Sequence, residues 1–233
     1  MKSLKVVAVA LCAAMLTTGC GNTGKGALIG AGGGAALGAI VGKIAGNTVV
    51  GAAVGTAVGA GTGALIGRHM DKVKKQAEAI QNAQVETYTD ANGLEGVKVT
   101  FDSGILFGTG SSALQAAAKT SLTQFANNVL KVNTDCDVAV QGYTDNAGWK
   151  NSTAEQSYQK NIDLSQQRAQ AVTNYLTSLG VSTSQIRSTT GFGEANPVAD
   201  NSTPAGKAQN RRVEVILYAS QAMIQAAEAG TLQ

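Results

Sequence analysis

From residue 26 to residue 67 this chain places a glycine at almost every fourth position: 26, 30, 34, 38, 42 and 46, then 51, 55, 59, 63 and 67. A spacing of four sets each series along one helical face, where missing side chains let a second backbone approach closely. Ala, Val, Leu and Ile fill the other faces, and Lys43 is the sole charge between Lys25 and Arg68. Asn47 and Thr48 break the register, as the turn of a helical hairpin would. Two readings are open, a packing hairpin and a flexible linker. Linkers combine Gly with Ser rather than with branched apolar residues at fixed spacing. In water so much glycine costs a helix roughly 1 kcal/mol per residue against alanine. A membrane overrides that penalty by disfavouring unpaired backbone groups. The block is therefore expected to be a membrane-embedded or membrane-apposed hairpin, each arm near the ~20 residues that cross a bilayer. A packed core must come from later residues.

What precedes the ladder reads as a targeting segment over residues 1–19. Lys2 and Lys5 give the positive start, and Val6–Leu16 is an apolar run too short to span a bilayer. Thr17, Thr18 and Gly19 then lead to Cys20, as in a bacterial lipobox, where the cysteine receives lipid and becomes the mature N-terminus. Leu16 sits one place earlier than the usual leucine, and an ordinary secreted protein with an incidental cysteine is the competing reading. Cys12 would leave with the signal and Cys20 would be acylated, so Cys136 stands alone and no internal disulfide is expected. Cys136 shares strand parity with Val138 and Val140, which marks it as a small core residue. A net charge of +3 without a basic run gives no footprint for nucleic acid.

Residues 69–92 are polar, helical at first, and read as a linker between the ladder and a folded domain over 93–220; residues 221–233 read as a tail. His69, the one histidine, is expected on the surface, with nothing near it in sequence to share a metal. Beyond it the periodicity changes. Val97, Val99 and Phe101 alternate, Asp102-Ser103-Gly104 turns the chain, and Ile105-Leu106-Phe107 reads as a short strand or hairpin arm. Leu114, Ala118, Leu122, Phe125 and Val129 predict an amphipathic helix over about 112–131. Residues 136–142 predict a strand. Leu164, Val172, Leu176 and Leu179 predict a second helix, closed by Gly180. Residues 186–191 and 213–218 predict two further strands. The expected class is α+β: a β-α-β-α-β-β sandwich, a small mixed sheet with helices on one face, preceded by the glycine hairpin.

Arg168 interrupts the apolar stripe of that second helix. A guanidinium there needs a carboxylate partner or a wet cleft. Asn161 and Ser165 lead toward it along one flank, and Asp145 emerges from the neighbouring strand. The alternatives are local: an Asx turn or helix cap for Asp145, and a salt bridge to Asp145 for Arg168. Neither group is an obvious nucleophile.

The tracts GYTDNAG at 142–148, NIDLSQQRA at 161–169, GFGEANPVADNST at 191–203 and GKAQNRRVEV at 206–215 together resemble the peptidoglycan-binding domain of the OmpA-like family, over roughly 96–218. The ladder resembles the glycine-zipper segments of bacterial envelope proteins. The family resemblance implies noncovalent recognition of the diaminopimelate of the peptide stem, with Asp145, Arg168 and Asn161 at the family's binding positions. Arg168 would grip the carboxylate of the free diaminopimelate end through two parallel N–H bonds, and Asp145 would accept from its ammonium. Thr144 and nearby backbone would supply further donors. Arg211 shares parity with Val213 and Val215, so it is placed to buttress Asp145. Two departures stand out: the stretch from Gly148 to Asn161 is longer than usual and carries Trp149, and Gly108 replaces an aspartate common in the family. Trp149 either covers the cleft or stacks on a sugar.

The resulting expectation is an outer-membrane lipoprotein, lipidated at Cys20, whose periplasmic domain tethers the membrane to peptidoglycan without cofactor, metal or catalytic step. Gly21 after the cysteine, rather than Asp, favours outer-membrane sorting by analogy with known lipoproteins. Outer-membrane lipid and a second copy packed through the glycine zipper are its other expected partners. The N-terminal part lacks the repeated alternating strands of a membrane barrel. The alternatives are an assembly protein that oligomerises through the ladder, and an enzyme acting on the cell wall, for which no nucleophile–base pair, carboxylate pair or metal cluster is evident.

Overall fold

The computed structural model of the chain describes residues 60–90 and 93–232. The signal segment, Cys20 and all but the end of the glycine ladder lie outside the described residues. In order, the elements are α1 (Ala60–Glu78), β1 (Ala83–Thr89), β2 (Glu95–Asp102), the one-turn α2 (Ser103–Leu106) and α3 (Ala116–Phe125) with a π-helical extension (Ala126–Leu130). They continue with β3 (Cys136–Gly142), α4 (Ala154–Ser178), β4 (Ile186–Gly191), α5 (Pro204–Asn210), β5 (Arg212–Ala219) and α6 (Gln221–Glu228).

The five strands form one mixed sheet in the order β1-β2-β5-β3-β4. Only β3 and β4 run parallel, joined by α4 as a crossover; the other neighbours are antiparallel. Register follows the alternation of branched residues: Val97 faces Leu217, Val99 faces Val215, and Val138 and Val140 meet the same two residues of β5 from the other side. A one-residue slip would turn this apolar set away from the helices, so burial fixes the pairing. Helices cover the same face of the sheet, joining those strand residues to Ile66 and Met70 of α1, Leu122 and Phe125 of α3, Val172 and Leu176 of α4 and Met223 of α6 in one core. Phe101 and Phe125 meet edge to face at 5.6 Å. Cys136 lies fully buried in this core, as its parity predicts.

Several local expectations change. Residues 103–106 form a helical turn rather than a strand, because Asp102 caps it through Gly104 N. Phe107 then makes only an isolated bridge to Leu114, and Gln115 N donates to Leu106 O. These ties close residues 107–115 into a turning loop, so α3 starts at Ala116 rather than near 112. Helix α4 begins ten residues before Leu164: Thr153 and Gln156 form a reciprocal capping box, so much of the stretch from Gly148 to Asn161 is helix rather than loop. Gly180, at φ 89°, closes α4 as expected.

The stretch read as a linker holds the second half of α1 and the edge strand β1. Ile66, at the end of the ladder, is fully buried against the domain core. His69 is not a surface residue, its side chain being only 12% exposed. Among the described residues no helix is long and apolar enough to cross a membrane.

Candidate functional site

The parallel pair β3 and β4 and the crossover helix between them build the site. Where they end, at Gly142 and Gly191, α4 lies directly on the backbone. A Cβ at Gly142 would fall 2.2 Å from Ser165 O, and one at Gly191 would fall 2.1 Å from Gln166 N. Ser165 Oγ accepts from Gly193 N at 2.8 Å, and Gln166 Oε1 accepts from Gly191 N at 2.7 Å, which locks the helix on the strand ends. The buried stripe of α4 accordingly changes character along its length. Ala169, Val172 and Leu176 pack on the sheet, while Ser157, Asn161, Ser165 and Arg168 line the part that overhangs the strand ends.

Asp145 enters this overhang three residues after β3. Tyr143 N donates to Arg212 O and Thr144 N to Gly193 O, so the segment is tied on both sides. Asp145 is 7% exposed. Its Oδ1 accepts from Ala147 N at 3.0 Å, the expected Asx turn, and its Oδ2 is ion-paired with Arg211. The buttressing role of Arg211 is thus observed, and the alternative salt bridge between Asp145 and Arg168 is not.

Arg168 is 4% exposed, and among the described residues no ion pair holds it. Its Nε donates to Ser111 O at 3.0 Å and one terminal nitrogen to Gly108 O at 3.5 Å, with the guanidinium over the Phe107 ring at 5.3 Å. The loop after α2 therefore supplies carbonyls, and Gly108 contributes through its backbone where an aspartate side chain is absent. Burial and then Arg211 push the Arg168 pKa down, while Asp145 pushes it back up. A guanidinium stays charged at neutral pH regardless. A buried cation satisfied only by carbonyls retains capacity for an anion.

Asn161 knits the other wall. Its Nδ2 donates to Ala147 O at 3.2 Å and to Glu194 Oε2 at 3.3 Å, and its Oδ1 accepts from Trp149 Nε1 at 2.8 Å. Trp149 thereby covers Asn161 with its indole N–H committed to it. The Thr144 hydroxyl is buried, and among the described residues it has no hydrogen-bond partner. All four residues that the sequence marks as candidates for binding, Asp145, Arg168, Asn161 and Thr144, belong to this one cluster. Sequence reasoning missed Glu194 as a member, although it stands in the GFGEA tract; its contact with Asn161 spans 33 residues and leaves no local signal. The cluster contains two carboxylates, Asp145 and Glu194, and two guanidiniums, Arg168 and Arg211.

The NRR tract at 210–212 divides its work. Asn210 Oδ1 accepts from Val198 N and Ala199 N and so pins the loop after β4. Arg211 orients Asp145. Arg212 lies 3.8 Å from the centre of the Tyr143 ring and is paired with Glu214 on the face away from the core. Tyr143 in turn stacks on Phe192. Neither histidine nor cysteine belongs to the cluster.

Residues 106–211 match the OmpA family, and residues 1–71 match a YMGG-like Gly-zipper. The chain is 46% identical over 119 residues to the probable lipoprotein YiaD of Escherichia coli K12, a match covering 51% of this chain and 47% of that one. It is 42% identical over 113 residues to the peptidoglycan-binding protein ArfA of Mycobacterium tuberculosis, covering 48% and 32%. It is 35% identical over 125 residues to the outer-membrane lipoprotein YfiB of Pseudomonas aeruginosa, covering 54% and 68%. The chain thus spans about half the length of YiaD and about a third of ArfA. The fold is similar to that of the cell wall anchor of the T6SS from Pseudomonas aeruginosa, with a TM-score of 0.51 at 26% identity over 65% of this chain and 97% of that one. The chain belongs to the OmpA family.

Proposed function

We propose that this chain is a non-catalytic peptidoglycan-binding lipoprotein that tethers the outer membrane to the cell wall. One observation carries the reading: Arg168, a buried guanidinium without an ion pair among the described residues, lies within electrostatic reach of the anchored carboxylate of Asp145. A ligand bearing a carboxylate and an ammonium on one carbon complements both, as the free end of diaminopimelate does. Arg168 offers a planar donor fork to the carboxylate. Asp145 keeps acceptor capacity for the ammonium beyond its contacts to Arg211 and Ala147, since two carboxylate oxygens accept about four bonds. The names of ArfA and of the cell wall anchor support the ligand class. The names of YiaD and YfiB support lipidation at Cys20 and an outer-membrane location.

The test is co-sedimentation of the full chain with diaminopimelate-containing sacculi. Asp145→Ala and Arg168→Ala are each expected to weaken binding by about 2–5 kcal/mol, the cost of truncating one partner of a buried charge pair. That is at least about thirtyfold in affinity. Undiminished sedimentation of both variants contradicts the site. Sacculi incubated with the protein are expected to release no soluble fragments; their release would replace binding with catalysis.

A second reading rests on the Gly-zipper match over residues 1–71. In it the ladder joins copies of the chain, and Gly34→Leu with Gly38→Leu is expected to abolish crosslinked oligomers while leaving sacculus binding intact.

A further inference from the structure

At the opposite end of β3 from the wall-binding cluster, about 20 Å away at 3.3 Å per strand residue, three different donor types converge. His69 comes from α1, Cys136 is the first residue of β3, and Asp135 immediately precedes it. Their ligand atoms all lie within 4.8 Å of one another. His69 Nε2 stands 3.4 Å from Asp135 Oδ2, yet the geometry makes no hydrogen bond, and both ring nitrogens are shut from solvent with no hydrogen-bond partner among the described residues. An imidazole with two buried, unused nitrogens is costly unless something else engages it. The Cys136 side chain is fully buried beside it.

We propose that His69, Asp135 and Cys136 form a site for a divalent zinc-class cation. Imidazole nitrogen, carboxylate oxygen and thiolate sulfur are the donor types that Zn²⁺ takes, and three protein ligands leave a fourth position for water. Closing the ligand atoms around one ion requires them to draw in by roughly an ångström, because tetrahedral bonds of about 2.0–2.3 Å bring ligands closer than the present spacing. Charge balances: the dication meets one carboxylate, one thiolate and a neutral ring, and the Cys136 thiol releases its proton to solvent on binding. Burial first, then Asp135 and Asp137, push that thiol pKa up in the metal-free protein. A bound dication reverses this by coordinating the deprotonated sulfur. The ligands come from two elements, so the ion would clamp α1, which continues out of the glycine ladder, onto the start of β3. The site is independent of the wall-binding residues.

The experiment titrates the chelator-treated, reduced full chain with Zn²⁺ by calorimetry and with Co²⁺ by absorption. Expected are one Zn²⁺ per chain, about one proton released per ion, a thiolate-to-cobalt charge-transfer band and a raised unfolding temperature. Cys136→Ser is expected to abolish the band. That assigns the sulfur to Cys136. Asp135→Asn, at a half-exposed position that tolerates substitution, and His69→Gln are each expected to weaken Zn²⁺ binding by more than about 100-fold, beyond what loss of an outer-shell partner costs. No Zn²⁺ uptake by the unsubstituted chain, a cobalt band that survives Cys136→Ser, or wild-type affinity in Asp135→Asn and His69→Gln would overturn the proposal. Sacculus binding is expected to be the same with and without the ion, which keeps this result separate from the wall-binding test.

Discussion

Thr144 separates binding from stability at the level of a single side chain. Its hydroxyl is buried without a partner among the described residues, a state that costs about 1–3 kcal/mol when nothing engages it. If a ligand uses that hydroxyl, Thr144→Val should raise the unfolding free energy by about 1 kcal/mol while lowering affinity for sacculi. Denaturant unfolding and sedimentation on the same variant read the two effects, and unchanged or tighter binding would remove Thr144 from the site. Arg168→Lys tests fork geometry against charge. Lysine keeps the positive charge but loses the planar pair of donors. It should recover only a small part of the binding lost in Arg168→Ala. Arg168 was legible because it interrupts an apolar stripe, and Asp145 and Asn161 because they stand in the tracts that resemble the family. Most of their partners were not. Arg168 reaches Ser111 across 57 residues and Asn161 reaches Glu194 across 33, distances at which periodicity carries no information. Arg211 was placed near Asp145 by its strand parity, and the ion pair is there.

At the level of elements, the seating of α4 decides whether the site exists. Gly142 and Gly191 permit that seating because no side chain stands between strand end and helix backbone. Gly142→Ala should lower stability by at least about 1–3 kcal/mol through overpacking. It should also weaken sacculus binding although it touches no ligand, since Asn161 and Arg168 ride on the displaced helix. A capping change at the start of α4 makes the control: Thr153→Ala should cost about 1 kcal/mol of stability, read as a shift in denaturant midpoint, with binding retained. Strands β3 and β4 were legible to the residue, because a terminal glycine marks the end of each. Strand β1 was not, since Gln84, Glu86 and Thr87 give an edge strand the composition of a connector. The run Ile105–Phe107 misled for the opposite reason: three apolar residues fit a strand or a helical turn equally well, and the Asp102 cap decides.

Across the whole molecule, the glycine ladder and the folded domain are not separated by a slack tether. Helix α1 carries the end of the ladder into the domain, burying Ile66, Met70, Val73 and Ala77 in the shared core. Met70→Ala should therefore cost about 2–5 kcal/mol of domain stability, as loss of a buried core side chain does. A fragment beginning at Gly93 should unfold at lower denaturant than one beginning at Ala60. In the proposed function, the domain would recognise a zwitterionic amino-acid end, its carboxylate on Arg168 and its ammonium on Asp145. Peptide stems that end in lysine present the ammonium without the carboxylate, and a site built to bond a missing group rejects the analogue strongly. The most direct measurement is the affinity of the full chain for diaminopimelate-containing and lysine-containing stem peptides, each with and without Arg168→Ala. The account predicts much tighter binding of the diaminopimelate stem, with the preference erased by the substitution. Equal affinity for the two stems in the unsubstituted protein would contradict it.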